Sequence, residues 1–361
     1  MILIVGAGLS GLVLVERFAS RLGKKVLIIE KRGHIGGNVY DYIDENGILI
    51  NRYGAHIFHT NDEGVWEYVN RFAEWVRWDH KVLGRIGDRY FPIPININTV
   101  NILCNRHLRD EQEMDHWLSE NQIAYPEIRD SEQVAKSRIG EYLYEKIIKW
   151  YTFKQWARFP SELNPNVLER IGVRSSHDDR YFTDRYQALP RGGYTRFCQS
   201  LIRHPNIQVF LNTDFFDTKD IEYEQLFFTG PIDQYFKDME KLEYRSLRFE
   251  VIPIKNMNYY QPVGVVNYTS MEVPFTRIVE YKHFLNQKSD HTTIVKEYST
   301  DTGEPYYPVL SKRNLDLYQK YKERATREKN VHFVGRLANY RYFNMDQAIR
   351  NSLDLFADFI K

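Results

Sequence analysis

The amino-acid sequence predicts an α/β fold in three parts: a strand, glycine turn, helix and strand at the start, a charged helical stretch over 98–156, and strand-forming segments beyond residue 178. In the first part the apolar run Ile2, Leu3, Ile4, Val5 enters Gly6-Ala7-Gly8-Leu9-Ser10-Gly11, and Leu12, Val15, Ala19 and Leu22 follow at helical spacing. A second apolar run, 26–29, ends in Glu30. Gly6 permits the tight turn, Gly8 lets a pyrophosphate approach bare backbone, and Gly11 lets the helix lie close to the strand. The helix N-terminus offers unpaired amide donors and a positive dipole end to phosphates. Glu30 is spaced to accept hydrogen bonds from a ribose hydroxyl, so the unit reads as a Rossmann-like dinucleotide-binding βαβ. A second glycine pair, in Lys31-Arg32-Gly33-His34-Ile35-Gly36-Gly37-Asn38, favours a whole FAD held in extended form over a nicotinamide dinucleotide.

The remaining elements follow in order. Thr60-Asn61-Asp62-Glu63 reads as the capped start of a helix through Trp66, Tyr68, Val69 and Phe72. Residues 81–94 read as a β-hairpin. The helical stretch ends in a helix with Ile139, Leu143, Ile147 and Trp150 on one face. Candidate strands are 208–211, 226–229, 264–268, 276–281 and 292–298, and 331–334 leads into Gly335-Arg336. The closing helix carries Ile349, Leu353, Phe356 and Ile360, with Asn344 and Gln347 as its N-cap pair. The chain thus leaves the dinucleotide fold and re-enters it. The expected division is a Rossmann-like FAD-binding domain over 1–80, re-entered near 195–240 and 315–361, a helical insertion domain over 96–170, and an antiparallel β-sheet substrate domain over 171–194 and 241–314.

A length of 361 residues suits two or three packed units. The 49 basic and 48 acidic residues nearly cancel, which argues against nucleic acid or an anionic membrane surface as partner and makes any anion site local. Cys104 and Cys198 are too few for a disulfide framework or a metal cluster, so no metal and a reducing, cytoplasmic location are expected. No basic segment precedes the first apolar run, and it breaks at Gly6, so it reads as a buried strand and not a signal peptide. No stretch has membrane-spanning length. Aromatic residues make up 15% of the chain, more than packing alone needs, and some should line a ligand site.

Taken together, the glycine-rich start, IEKRGHIGGN, YGAHIFHT, WYTFKQW, ERIGVR, DDRYFTDRYQALPRGGYT, FFTGPIDQYF, PFTRIVEYKHF, GEPYYPV and GRLANYRYFNMDQAI resemble the prokaryotic-type UDP-galactopyranose mutase family over residues 2 to about 350. The resemblance implies a flavoenzyme that interconverts the six- and five-membered rings of a UDP-hexose, with galactopyranose and galactofuranose as the expected pair, in the making of cell-surface polysaccharide. In such an enzyme N5 of reduced FAD displaces UDP from the anomeric carbon, the sugar opens and recloses, and no net redox change occurs. A cellular reductant such as NAD(P)H and a homodimer are also implied.

The same resemblance assigns roles to residues. Arg170 and Arg277 would hold the pyrophosphate, a task that suits a planar, permanently charged fork of donors. Tyr181, Tyr307 and Tyr342 would donate phenolic hydrogen bonds to the same phosphates, while Tyr151 and Trp156 would serve the uridine. His56 would lie close to the flavin ring, and Arg336 would favour its reduced, anionic form. Cofactor contacts are implied at Gly6, Gly8, Ser10, Gly11, Glu30, Lys31, Gly37, Asn38, His56, Ile57, Thr229, Gly230, Arg336 and Met345. In Tyr342-Phe343-Asn344 the asparagine stands where the family usually has aspartate, near flavin and substrate. It keeps the helix cap and removes a negative charge. Two other readings compete: an FAD-dependent oxidase or desaturase, whose start has the same glycine pattern, and a non-catalytic flavoprotein that binds a UDP-sugar. The arginine pair and the aromatic motif argue against the first.

Overall fold

The computed structural model describes residues 1–169, 172–218 and 221–361. Ile2–Val5, the first strand, is almost wholly buried and pairs in parallel with Val26–Ile29 on one side and Gln225–Phe228 on the other. Ile207–Phe210 and Val331–Phe333 complete a parallel sheet in the order 207–210, 26–29, 2–5, 225–228, 331–333. The sequential order reverses between the strands of 2–5 and 225–228, which is where an open α/β sheet leaves a crevice at its carboxyl ends. The helix Leu9–Leu22 packs against this sheet and against the closing helix Met345–Phe359. Phe18 anchors the contact, with ring centroids 4.9 Å from Phe227 and 5.2 Å from Phe356. Leu22 and Ile360, counted on the apolar faces from spacing, are exposed because one sits in the last helical turn and the other beyond the helix end.

A second sheet has seven strands in the order Tyr307–Pro308, Tyr244–Ile254, Thr292–Thr300, Arg277–Glu280, Val265–Tyr268, Val82–Ile86, Arg89–Ile93. All neighbours are antiparallel except Val265–Tyr268 and Val82–Ile86. The hairpin of 82–93 therefore adds two strands from outside the ranges expected for the sheet unit. Tyr186–Pro190, from within those ranges, instead pairs with Phe58–Thr60 and Trp75–Arg77 in a separate small sheet. Tyr244–Ile254 is the longest of the strands that spacing did not reveal, with Tyr307–Pro308 beside it and Tyr186–Pro190 in the small sheet among the others. Pro253 interrupts its sequence, yet beyond Arg245 the strand is the sheet edge, where a missing N–H costs no ladder bond.

Helices Ile97–Cys104, Glu111–Asn121, Ser131–Leu143 and Lys149–Trp156 form a unit with its own core, which includes Met114, Trp117, Ile139, Leu143, Ile147 and Trp156. Gly140 sits at φ +75°, and a Cβ there would strike the Asn121 carbonyl, so the two helices meet only through glycine. A π turn, Tyr144–Ile148, then leads directly into Lys149–Trp156, whose outer end lies against the strand Thr292–Thr300. Among the described residues no helix is long and apolar enough to cross a membrane.

Candidate active site

The glycine turn forms one wall of a long cleft. Gly6 has φ +100°, and a Cβ on it would collide with Thr229 Oγ1, which donates to the Val5 carbonyl at 2.8 Å. A Cβ on Gly11 would meet the Gly6 carbonyl, so this glycine brings helix to strand and does not itself line the cleft. Gly8 differs from both. Its Cβ would come no closer than 3.9 Å to Gly37, leaving bare backbone between two glycines open to the cleft. That is a cradle a side chain would fill and a pyrophosphate can enter. The first helix starts at Leu9 with Ser10 in its first turn, so its free amides point the same way.

The cleft gathers most of the residues expected to hold a dinucleotide. Gly6, Gly8, Ser10, Glu30, Lys31, Gly37, Asn38, His56, Thr229, Gly230, Arg336 and Met345 all line it, as does Asn344. Ile57 does not; it is buried in the main core. Glu30 accepts from Ala7 N–H at 2.8 Å and from Arg32 N–H at 2.9 Å, which fixes the carboxylate at the carboxyl end of its strand. Each oxygen keeps a lone pair for a ligand hydroxyl. Lys31 is ion-paired with Glu304 at 2.7 Å. Thr213, Asp214, Phe215 and Phe216 also line the cleft and were missed, although the strand before them was expected. Their place follows from sheet order, which puts 207–210 beside 26–29.

At the other end of the cleft lies His56. Its Nδ1 is 2.7 Å from the Gly54 carbonyl, and burial first, then Arg336, against the pull of that hydrogen bond, bring its pKa down to about 4. The ring is therefore neutral at pH 7. A carbonyl only accepts, so Nδ1 carries the proton and Nε2 is an acceptor. Arg336 donates from Nε to the Phe343 carbonyl at 3.1 Å, and its guanidinium lies 5.3 Å from the Tyr342 ring. Asn344 caps the closing helix, and its N–H donates to Gln347 Oε1 at 2.9 Å. The positive end of that helix thus faces the same region as Arg336.

From here an aromatic series leads to the helix Lys149–Trp156. Tyr342 packs on Tyr307 at 5.8 Å and Tyr307 on Trp156 at 5.4 Å. Trp156 is 5% exposed and belongs to the core of the helical unit, whereas Trp150, Phe153 and Phe159 form a separate cluster. The Tyr307 hydroxyl is buried, with Ser299 beside it and no well-formed hydrogen bond. Five residues before Trp156, Tyr151 accepts a hydrogen bond from Arg277 at 2.6 Å. Burial raises the Tyr151 pKa to about 12, with Arg277 opposing, so the phenol keeps its proton.

Arg277 is the centre of this second site. Burial works against its charge, but Glu297 and the phenols of Tyr151 and Tyr181 hold its pKa above the ordinary arginine value. Glu297, 8% exposed, lies 3.5 Å from Nε in an ion-pair contact too long to be a good hydrogen bond, and Nε has no hydrogen-bond partner among the described residues. Tyr181 stands at the opening, 39% exposed, with its N–H donated to the His80 carbonyl. Arg170 falls outside the described residues. Sheet register adds Asn267, which lies opposite Arg277 on the neighbouring strand, is 7% exposed, and has Oδ1 without a partner among the described residues. A buried acceptor of this kind costs roughly 1–3 kcal/mol unless a ligand completes it. Neither Glu297 nor Asn267 has a sequence motif to mark it; cross-strand neighbours become visible only when strands are paired. Lys154, on the same helix as Tyr151, donates to the carbonyls of Tyr268, Phe275 and Val273 at 2.6, 2.9 and 3.3 Å.

The site therefore joins a dinucleotide cleft to a partly buried cation with open donor capacity, through His56, Gly54 and Glu297 on one side and the tyrosine series on the other. Comparison with known proteins points the same way. The family model for UDP-galactopyranose mutase matches residues 146–342, and that for an NAD(P)-binding Rossmann-like domain matches 4–72. A probable UDP-galactopyranose mutase of Klebsiella pneumoniae is 38% identical over 99% of this chain and 94% of its own. A dTDP-fucopyranose mutase of Escherichia coli is 34% identical over 100% and 98%. The fold matches a crystal structure of reduced UDP-galactopyranose mutase with a TM-score of 0.80 at 18% identity, covering 99% of this chain and 95% of that one. A putative protoporphyrinogen oxidase from Exiguobacterium sp. 255-15 shares the fold at 0.70 and 14% identity over 99% and 98%, so architecture alone does not separate mutase from oxidase. Identity along the full chain does separate them: the protein belongs to the UDP-galactopyranose mutase family.

Proposed function

We propose that the protein is a flavin-dependent mutase that interconverts UDP-galactopyranose and UDP-galactofuranose with FAD bound and reduced, without net redox change. The observation that carries this reading is the partly buried Arg277 guanidinium, tied to Tyr151 and adjoining the dinucleotide cleft. A cation so placed suits a diphosphate leaving group, and an oxidase acting on an apolar amine or polyene has no diphosphate to hold. Reduced FAD, when bound, supplies a nucleophilic nitrogen for displacement at the anomeric carbon.

The chain's own residues do the rest. Gly6, Gly8, Gly37 and the first amides of the Leu9–Leu22 helix hold the pyrophosphate of the cofactor, and Glu30 holds a ribose hydroxyl. Arg277 and Arg170 neutralise the charge that develops on UDP as it leaves. Tyr181, Tyr307 and Tyr342 add donors without adding charge. Tyr151 and Trp156 face the nucleoside. His56, neutral and with Nε2 as acceptor, can accept a hydrogen bond at the flavin edge, while Arg336 and the helix end at Met345 favour an anionic ring. Asn344 fills the cap position without placing a negative charge there. NAD(P)H as reductant, a homodimeric assembly and a cytoplasmic setting complete the proposal.

The test is to incubate the purified protein with UDP-galactofuranose, with and without dithionite, and to separate the nucleotide sugars. Conversion to UDP-galactopyranose only in the reduced sample is expected. A parallel sample with the dTDP-fucose pair addresses the nucleotide and sugar together. Turnover of that pair alone would overturn the UDP-galactose assignment and keep the mutase chemistry.

A further inference from the structure

Lys154 is a partly buried ammonium whose three protons meet three carbonyls: Tyr268 at 2.6 Å, Phe275 at 2.9 Å and Val273 at 3.3 Å. These carbonyls come from the end of the strand Val265–Tyr268 and from the loop that leads into Arg277–Glu280. No carboxylate among the described residues pairs with the ammonium, and burial alone draws its pKa down to about 8, so at neutral pH it is still mostly charged. A lysine held only for surface solubility would turn its head to water or to an acid. Here the number of donors equals the number of acceptors, and the acceptors belong to a loop that a side chain would otherwise have to hold by packing.

The position of this contact matters more than its strength. Lys154 lies three residues after Tyr151 and two before Trp156, on the helix Lys149–Trp156. Its acceptor at Phe275 lies two residues before Arg277. Tyr151 meets Arg277 directly, at 2.6 Å from its Nη2, so helix and strand are joined at the ligand-binding groups as well as through Lys154. On the far side of the helix the Gln155 carbonyl accepts from Arg245 Nε at 3.1 Å and from Ser299 Oγ at 2.5 Å, which pins the helix end to a different pair of strands. The loop before Arg277 is tied to the helix through Lys154.

We propose that Lys154 is a positioning residue that sets the spacing between the aromatic nucleoside platform, Tyr151 and Trp156, and the diphosphate-binding guanidinium of Arg277. The proposal rests on the UDP-sugar reading of the site. A nucleoside diphosphate must satisfy both anchors at once, so its affinity depends on the spacing; inorganic pyrophosphate uses the arginine end alone and is indifferent to it.

The experiment measures binding of UDP and of inorganic pyrophosphate to the flavin-loaded wild type, Lys154→Met and Lys154→Arg by calorimetry, with flavin content and melting temperature recorded for each. In Lys154→Met the UDP Kd rises about tenfold, the size expected for losing hydrogen bonds from a charged donor, while the pyrophosphate Kd is unchanged. Steady-state turnover of that variant shows a raised KM with kcat little altered. Lys154→Arg keeps charge and donors and recovers part of the UDP affinity; it serves as the sole comparison if the methionine variant does not fold, then showing a smaller loss for UDP alone. Equal UDP affinity in wild type and variants overturns the proposal. Parallel loss of UDP and pyrophosphate also overturns it, because Lys154 would then support Arg277 itself. A wild type that binds pyrophosphate but not UDP removes the UDP-sugar reading instead, and that result is seen without any variant.

Discussion

Single residues divide here into those whose loss harms the fold and those whose loss harms the ligand. Replacing Arg277 with Ala removes the proposed diphosphate contact and leaves Glu297 buried without its cation, a change that typically costs about 3–5 kcal/mol. The expected result is turnover reduced by at least about a hundredfold with FAD retained, read from flavin absorbance after gel filtration. Asn267 should behave in the opposite way towards stability. Its Oδ1 is buried without a partner among the described residues, so Asn267→Ala relieves a desolvated acceptor. The melting temperature should hold or rise while UDP affinity falls by about tenfold, roughly 1.4 kcal/mol. A fall in both would mean that the side chain is structural. The two positions face each other across paired strands, and a double-mutant cycle would show whether they act on one ligand.

At the scale of elements, the glycine turn separates two kinds of constraint. Gly6→Ala introduces a side chain at φ +100° against Thr229, so the fold itself should lose about 1–3 kcal/mol. Gly8→Ala has extended backbone and open space, so thermal unfolding of the flavin-free protein should barely change while flavin affinity drops. Equal destabilisation by both would remove the distinction. This turn was legible in the sequence because its geometry is local: four residues determine where the helix amides point. Strands near 207–210, 225–228, 265–268, 277–280 and 331–333 were legible too, each within a residue or two at its ends, because apolar runs bounded by turns announce themselves. Tyr244–Ile254 was not, since Pro253 reads as a break when the edge position is unknown. Among the residues at the second site, Tyr151, Lys154 and Arg277 stand in recognisable motifs, but Asn267 and Glu297 do not. Their chemistry depends on which strand lies beside which, and no local pattern encodes that.

For the whole molecule, pH is a sensitive probe because two histidines are held neutral where the units meet. Burial lowers His56 to about 4, and burial with Arg277 and His59 nearby lowers His80 to about 3, each from 6.5. The unfolded chain therefore binds protons that the folded chain refuses, and stability falls as pH drops from about 6.5 through 4 to 3. Denaturant midpoints measured across that range should decline steadily, and His80→Phe should flatten part of the decline; an unchanged slope would mean that other groups govern it. The parallel sheet raises a matter of timing. Its central strand, 2–5, precedes its partner at 225–228 by more than half of the 361 residues, and 331–333 and the closing helix follow later still. A ribosome-bound chain can make the first βαβ turn early and still have no opposite wall for a flavin. Long sequence separation slows assembly and leaves an apolar strand edge exposed meanwhile. The opposite wall of the cleft accordingly closes only when segments made long after the glycine turn have joined the sheet.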